Sequence, residues 1–570
     1  MLTDRQTGYP SVDRPWLKYY SEEAINKPLP KMTMYEYAWE NNKNDLSDIA
    51  FSYFGTKISY GEFFENVQRA AKSFVAMDIK EGDMVTIMSM QTPETIYAIY
   101  GLNYIGAVAN LVYMTLSEQE IIDTISETNS KVLMVLDAAG GKIEAVKKRI
   151  NVPMVVFSVA DSMPLFLKVA YRLKNKPIAG LLNWSEFLDK GKTVSLPNAS
   201  KEHERMSLIV YTSGSTGNPK GVMLSNDSLN AHAQQDIDGI YGFQRGLSFL
   251  FILPPFLAYG ISHLHTILCS GIEVILQIQI EPENVAKSIY KYYPECFVGT
   301  PAYIDAVMAP KYKKKDLSNL KFFVGGGGEV PEQKELAFND YLREHHSKAK
   351  YSCGYGMTEA GATLCANCND ISKVGSVGIP FVKTNVKVID RTTNEELPFD
   401  REGELYFSSP NTMLGYYHNE EATNSVLFYD SDGKPWIKSG DLGYVDEDGF
   451  VYVTGRIKRI CFTRAKDGFS YKLFPQRIEE LIASDERIEL CGVITKEDEE
   501  RINIPIVFVS LRDKCSSETD KELIRKELIE LSAKELPEHE QPENVVILDT
   551  MPLTMSGKID YMALEKGFLG

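Results

Sequence analysis

At 570 residues the chain exceeds what one hydrophobic core normally organises, so at least two domains are expected. Its 44% hydrophobic and 24% charged content is that of an ordinary soluble globular protein. A net charge of −17 argues against a general nucleic-acid binder, while still permitting a local cationic pocket.

The opening "MLTDRQTGYPSVDRPW" shows no basic segment leading into an apolar core, so no secretory signal is expected and the compartment is taken as cytoplasmic. "DMVTIMSM" (Asp83 to Met90) reads as a strand, and "PETIYAIYGLNYIG" as a helix with Pro93 in its first turn. "KVLMVLD" and "VPMVVFS" are again strands, and this alternation implies a largely parallel, covered sheet. "PLFLKVAYRLKNKP" (Pro164 to Pro177) is a basic amphipathic helix. Such a helix more often packs its apolar stripe inward; the alternative is peripheral membrane contact through residues 164–177. Leu247 to Ile278 is strongly apolar but is interrupted by Pro254, Pro255, His263, His265 and Glu273, which predicts buried strands and turns rather than a membrane span. "CANC" (Cys365 to Cys368) lacks a second pair, so reduced thiols are expected there rather than zinc.

From Asn385 onward, "NVKVID", "GELYFSS" and "GFVYVTG" are short strands with Asp-Gly turn signals, a β-rich subdomain of about 385–457. Beyond Arg456 a basic loop leads into a β/α mixture with a charged helix from Glu518 to Glu535, and a boundary is placed at Ile457–Arg459. The expected class is therefore α/β: a large N-terminal domain, 1–457, of mostly parallel layered sheets plus the β-rich subdomain, and a small α+β C-terminal domain, 458–570.

"YTSGSTGNPKGVMLS" (Tyr211 to Ser225) concentrates small, hydroxylated and flexible residues before Lys220. It is not a Walker A loop, because the lysine does not follow the second glycine. The physics is shared, since glycines let N–H groups turn toward an anion while hydroxyls and a lysine add donors and charge. A strand-like "LIVYTS" before it and helix N-cap residues in "SNDSLNAHAQQ" after it tie the loop to core elements.

With "YGMTEAG" (Tyr355 to Gly361), "SGDLGYVDEDGFVYVTGR" (Ser439 to Arg456) and "PLTMSGKID" (Pro552 to Asp560) following in order, the chain resembles the adenylate-forming superfamily of acyl-CoA synthetases, luciferases and nonribosomal adenylation domains. The likeness runs from about Thr33 to the C-terminus. It implies a reaction of a carboxylic acid with ATP to give an acyl-adenylate and pyrophosphate, followed by attack of the CoA thiol. Mg²⁺ is implied as cofactor.

By that resemblance Thr212, Ser213, Gly214, Ser215, Thr216 and Gly217 wrap the phosphates, with Lys220 at the end of the loop. Thr358 bonds the α-phosphate, and Glu359 holds the metal. Gly327, Gly328 and Glu329 lie against adenine, where Tyr355, Gly356 and Met357 also approach. Asp441 accepts from both ribose hydroxyls, Arg456 also contacts the ribose, and Val453 is among the nucleotide-binding residues. Lys558 bridges substrate carboxylate and nucleotide, and Lys458 is the hinge of a mobile C-terminal domain.

Phe256, Leu257, Tyr259, Gly260, Thr300, Pro301 and Tyr303 fall at the acyl pocket. Two departures stand out. Leu257 occupies a position where acyl-activating members often place histidine, and the loop carrying Arg464, Lys466 and Gly468 is longer than usual. No aspartate lies near Ala258, which disfavours an α-amino acid substrate. The alternative acceptor is a carrier-protein phosphopantetheine, and a non-catalytic nucleotide-binding scaffold is the remaining reading.

Overall fold

The structure, a computed structural model, describes residues 7–175, 180–212, 219–326, 330, 332–459, 461–464, 470–498, 500–513, 517–554 and 558–569. Two large sheets organise the N-terminal part. In spatial order an eight-stranded sheet contains Gly415–Tyr416, Gly221–Ser225, Met206–Tyr211, Val108–Leu111, Met84–Met88, Val132–Leu136, Met154–Phe157 and Leu182–Asn183. A nine-stranded sheet sets Tyr351–Met357, Phe322–Gly326, Cys296–Gly299 and Ser248–Phe251 side by side and parallel. Strands such as Met84–Met88 and Val132–Leu136 are buried at every residue, because helices cover both faces and leave no position for a polar alternation.

Helix Pro93–Ile105 fills the space between layers and is buried along its whole length. Thr92 caps it through its side chain, Pro93 occupies the first turn, and Gly106 ends it at φ 82°. Residues 385–456 form the five-stranded antiparallel sheet that the turn signals lead one to expect.

Two expectations are corrected. The apolar stretch Leu247 to Ile278 holds not only strands Ser248–Phe251 and Glu273–Leu276 but also helix Ala258–Cys269 between them. Of the two histidines that interrupt the apolar run, His265 is satisfied inside the core: its Nε2 lies 2.7 Å from Asn230 Oδ1, and its Nδ1 lies 2.8 Å from the Tyr100 hydroxyl. The second correction concerns helix Leu165–Lys174, whose apolar stripe faces outward rather than packing inward. Its last predicted residues, Lys176 and Pro177, lie outside the described residues. Cys365 and Cys368 are buried free thiols.

The C-terminal part builds its own core. Leu473, Ile478, Ile482, Val493, Val507 and Val509 cluster apart from the main core. Its sheet comprises Ile488–Asp498, Ile502–Leu511 and Asn544–Leu548, with helices Pro475–Ala483 and Glu518–Glu535 against it. A single 3₁₀ turn, Ile457–Arg459, joins the two parts. Among the described residues no helix is long and apolar enough to cross a membrane.

Candidate active site

Parallel strands present their C-terminal ends on one edge of a sheet, and loops leaving that edge are where ligands bind in such folds. Here that edge brings together 252–260, 300–303 and Met357–Glu359. The phosphate-type loop is hung differently, at the tip of a hairpin formed by Met206–Tyr211 and Gly221–Ser225. Thr212 N–H donates to the Lys220 carbonyl at 3.0 Å, and Lys220 N–H donates to Thr212 Oγ1 at 3.3 Å, closing the base of the loop. Ser213, Gly214, Ser215, Thr216 and Gly217 lie outside the described residues, as do Gly327, Gly328 and Glu329. The helix expected after the loop is Asn226–Ile237, capped by the Ser225 side chain.

Tyr355 and Asp441, distant in sequence, meet at 2.6 Å, the tyrosine hydroxyl donating to Asp441 Oδ2. Arg456 Nε lies 2.9 Å from Asp441 Oδ1. Both residues come from the antiparallel pair in which Asp441 opposes Arg456. The Asp441 charge is the main reason the Arg456 pKa is raised, and burial works against it. Burial is also the main reason the Tyr355 hydroxyl is pushed well up, with the Asp441 charge adding to it. Asp441 Oδ1 is buried and accepts no aligned hydrogen bond among the described residues. That free acceptor capacity, beside a cation, fits a nucleotide's ribose hydroxyl. Val453 sits three residues before Arg456 on the same strand, paired with Gly443 across a register shift. Gly356 is glycine for a packing reason, since a Cβ there would lie 1.8 Å from the Ala362 carbonyl oxygen.

Glu359 follows Thr358 in a single 3₁₀ turn and is held by a residue that the sequence reading did not single out. Tyr416 donates its hydroxyl to Glu359 Oε1 at 2.6 Å, and the Lys220 ammonium sits 4.9 Å over the Tyr416 ring. Tyr416 reaches there because Gly415–Tyr416 pairs antiparallel with Met223 and Val222, the strand that leaves the loop. The signal lay in the "LGYYHNE" run, but nothing local links it to Glu359.

Lys558 enters this cleft from the other domain. Thr554 N–H donates to the Lys558 carbonyl at 2.6 Å, and Lys558 N–H returns to Thr554 Oγ1 at 3.2 Å, which ties the lysine backbone to Thr554. Desolvation by the surrounding protein lowers its pKa, and the Arg456 charge lowers it further. Asp441 and Glu359 oppose the shift, which puts the ammonium within electrostatic reach of all three residues of the large domain. A second bridge between the domains runs from Arg512 to Asp305 at 2.5 Å, and Lys334 also holds Asp305 at 2.8 Å. Lys458 lies in the joining 3₁₀ turn.

At the acyl-pocket positions, Phe256 packs its ring on Tyr113 at 5.0 Å, and Leu257 precedes helix Ala258–Cys269 half-buried. Tyr259 Oη would lie 2.6 Å from a Cβ at Gly326, so glycine there lets the tyrosine approach the strand end. His263 Nδ1 lies 2.9 Å from the Tyr259 carbonyl, and burial holds this imidazole neutral with a pKa of about 4. Gly260 answers a close backbone approach, as its Cβ would fall 1.9 Å from the Pro254 carbonyl oxygen. Thr300 and Pro301 lead into helix Tyr303–Val307, and the Tyr303 hydroxyl donates to the Ile280 carbonyl at 3.0 Å.

The Tyr355–Asp441–Arg456 cluster of the large domain and a lysine carried by the smaller C-terminal domain thus come together at one place. The chain belongs to the AMP-binding enzyme family, whose model matches residues 38–417, and the AMP-binding enzyme C-terminal domain matches residues 477–558. This is the class of AMP-forming acid–thiol ligases, which draw on ATP and CoA. Among curated relatives, the long-chain-fatty-acid–CoA ligase of Bacillus subtilis is 26% identical over 562 residues, covering 96% of each chain. The 4-coumarate–CoA ligase CCL1 of Humulus lupulus is 26% identical over 522 residues, covering 89% of this chain and 88% of that one. Among solved structures, ATP-bound MatB from Rhodopseudomonas palustris superposes with a TM-score of 0.79 at 20% identity, covering 94% of this chain and 99% of that one.

Proposed function

We propose that this chain converts a carboxylic acid and ATP to an acyl-adenylate with release of pyrophosphate, and then passes the acyl group to the thiol of CoA. The observation that carries the reading is the delivery of Lys558 from the small domain to a cleft lined by Arg456, Asp441 and Glu359. Two anions, a carboxylate and a triphosphate, must meet for the first step, and mobile positive charge offsets their repulsion. In this reading the 212–217 loop, Lys220 and Thr358 hold the phosphates, and Asp441 accepts from the ribose. Tyr355, with Gly327, Gly328 and Glu329, borders the adenine.

Glu359 would hold Mg²⁺, which supplies charge neutralisation on the triphosphate when bound. Tyr416→Phe leaves the Glu359 carboxylate one donor short. It is expected to raise the Mg²⁺ concentration giving half-maximal adenylation by roughly tenfold, the size of one hydrogen bond to a charged group. A magnesium titration of ATP–pyrophosphate exchange checks this, and an unchanged midpoint removes Tyr416 from the role.

We infer that the acid has an apolar body. Leu257 and the aromatic residues Phe256, Tyr259 and Tyr303 support this, as do relatives named for a long-chain fatty acid and for 4-coumarate. Exchange measured over aliphatic and aromatic acids, then repeated with CoA, tests the whole reading. No exchange with any acid overturns it. Thioester formed only on a phosphopantetheine-bearing carrier protein replaces CoA as acceptor. A cytoplasmic location belongs to the same proposal.

A further inference from the structure

Helix Leu165–Lys174 is inverted relative to an ordinary surface helix. Leu165, Phe166, Val169 and Leu173 share one face and are 77%, 72%, 50% and 81% exposed; Leu173, Leu165 and Phe166 are the three most exposed large apolar side chains among the described residues. The opposite side fastens the helix to the body: Tyr171 packs against the main core, Leu167 is half-buried, and polar contacts add to them. Tyr171 donates its hydroxyl to Asp137 at 3.0 Å, Lys168 donates to the Asp161 carbonyl at 2.9 Å, and Arg172 pairs with Asp161 at 3.4 Å. No residue of the helix is buried. Water gains nothing from this arrangement, because a helix folded only for stability turns its apolar stripe to the core.

We propose that this face docks the protein peripherally on an anionic lipid bilayer. The ten residues "LFLKVAYRLK" carry three cations and no acid, within a chain of net charge −17. At ideal helical spacing Lys174 flanks one side of the apolar face, and on the other Arg172 keeps half of its side chain exposed while Lys168 and Arg172 also hold Asp161. Basic residues bordering a protruding apolar stripe match the layered chemistry of a membrane surface, with phosphates outside and acyl chains beneath. Elsewhere the acidic body is repelled by such a surface, so the helix also fixes which side approaches it.

Its place in the fold keeps the cleft free. The helix links Met154–Phe157 to Leu182–Asn183, the outermost strands at one end of the eight-stranded sheet. The hairpin bearing the phosphate-type loop lies toward the opposite end of that sheet.

The test is flotation of the full chain with vesicles of phosphatidylcholine and phosphatidylglycerol at a ratio of about 7:3, against vesicles of phosphatidylcholine alone. The protein is expected to float with the anionic vesicles, with roughly tenfold weaker partitioning onto the neutral ones and weaker binding at high salt. Leu165→Glu with Leu173→Glu is expected to abolish flotation while leaving the melting temperature unchanged, which shows that the fold is intact. Wild-type protein that stays with neither vesicle, or a double variant that floats like wild type, overturns the proposal. So does a wild-type dimer that the double variant dissolves, since the face would then belong to a second copy of this chain. None of these outcomes bears on adenylation, which is measured separately in solution.

Discussion

Lys558→Ala is expected to lower the rate of adenylate formation by roughly 10²–10³-fold, the scale seen when one preorganised charge-stabilising group is removed from a reaction centre. Thioester formation from a supplied acyl-adenylate and CoA is expected to persist. The separation follows from where the lysine sits: it comes from the small domain, tied to Thr554, and lies within electrostatic reach of Arg456, Asp441 and Glu359. Pyrophosphate release and thioester formation, measured apart, decide the matter, and an equal loss in both steps refutes the assignment.

The same lysine sets an alkaline limit. Its ammonium must be charged to act between two anions, and desolvation together with the Arg456 charge holds its pKa below the ordinary 10.5. A lowered lysine pKa means the positive charge is lost earlier as pH rises. The kcat/KM for adenylation, which reports groups of the free enzyme, is therefore expected to fall on the alkaline side below 10.5. In Lys558→Arg that limb is expected to move upward out of the range, because a guanidinium stays protonated. A limb of unchanged position in the arginine variant assigns the titration to another group.

The second large effect is expected at the joint between the domains. Residues on either side of it are anchored to different bodies. Arg456 is held by Asp441 of the large domain, whereas Arg459 makes two hydrogen bonds to Glu479, at 3.0 and 2.7 Å, and a third to the Val493 carbonyl at 3.1 Å. In the proposed reading, rotation between the domains would fall on the Ile457–Lys458 backbone, between these two anchors. Lys458→Pro removes backbone freedom at the joint and touches no side chain of the nucleotide cluster, so adenylation is expected to survive. Thioester formation requires a different domain orientation in this reading. It is expected to fall by about a hundredfold or more, as it does when reacting groups are kept out of register. Single-turnover measurement of each step separates them. Unchanged overall turnover argues against a rotating small domain, and equal loss of both steps shows damage to the fold.

Much of this was legible in order along the chain. Continuous apolar runs such as "DMVTIMSM" read directly as doubly covered strands, and Pro93 and Gly106 mark both ends of a fully buried helix. The charged helix from Glu518 to Glu535 has the limits expected of it. The helix inside the 247–278 stretch was not legible, because an apolar run buried on all sides carries no period that separates helix from strand. The outward stripe of Leu165–Lys174 was hidden for a different reason: amphipathicity gives the relative positions of the apolar residues but not the side on which the body lies.

The site divides in the same way. Sequence by itself determined the residue types and their order: the hydroxyl-rich loop, Thr358 and Glu359, Asp441, Arg456 and Lys558. Each is a local pattern, set by backbone chemistry within a few residues. Tertiary structure alone decided the pairings that give those residues their charge environment: Tyr355 on Asp441, Tyr416 on Glu359, and Lys558 opposite Arg456. Those contacts join strands or whole domains far apart in the chain. Coulomb forces and desolvation depend on distance in space, and separation along the sequence carries no record of it.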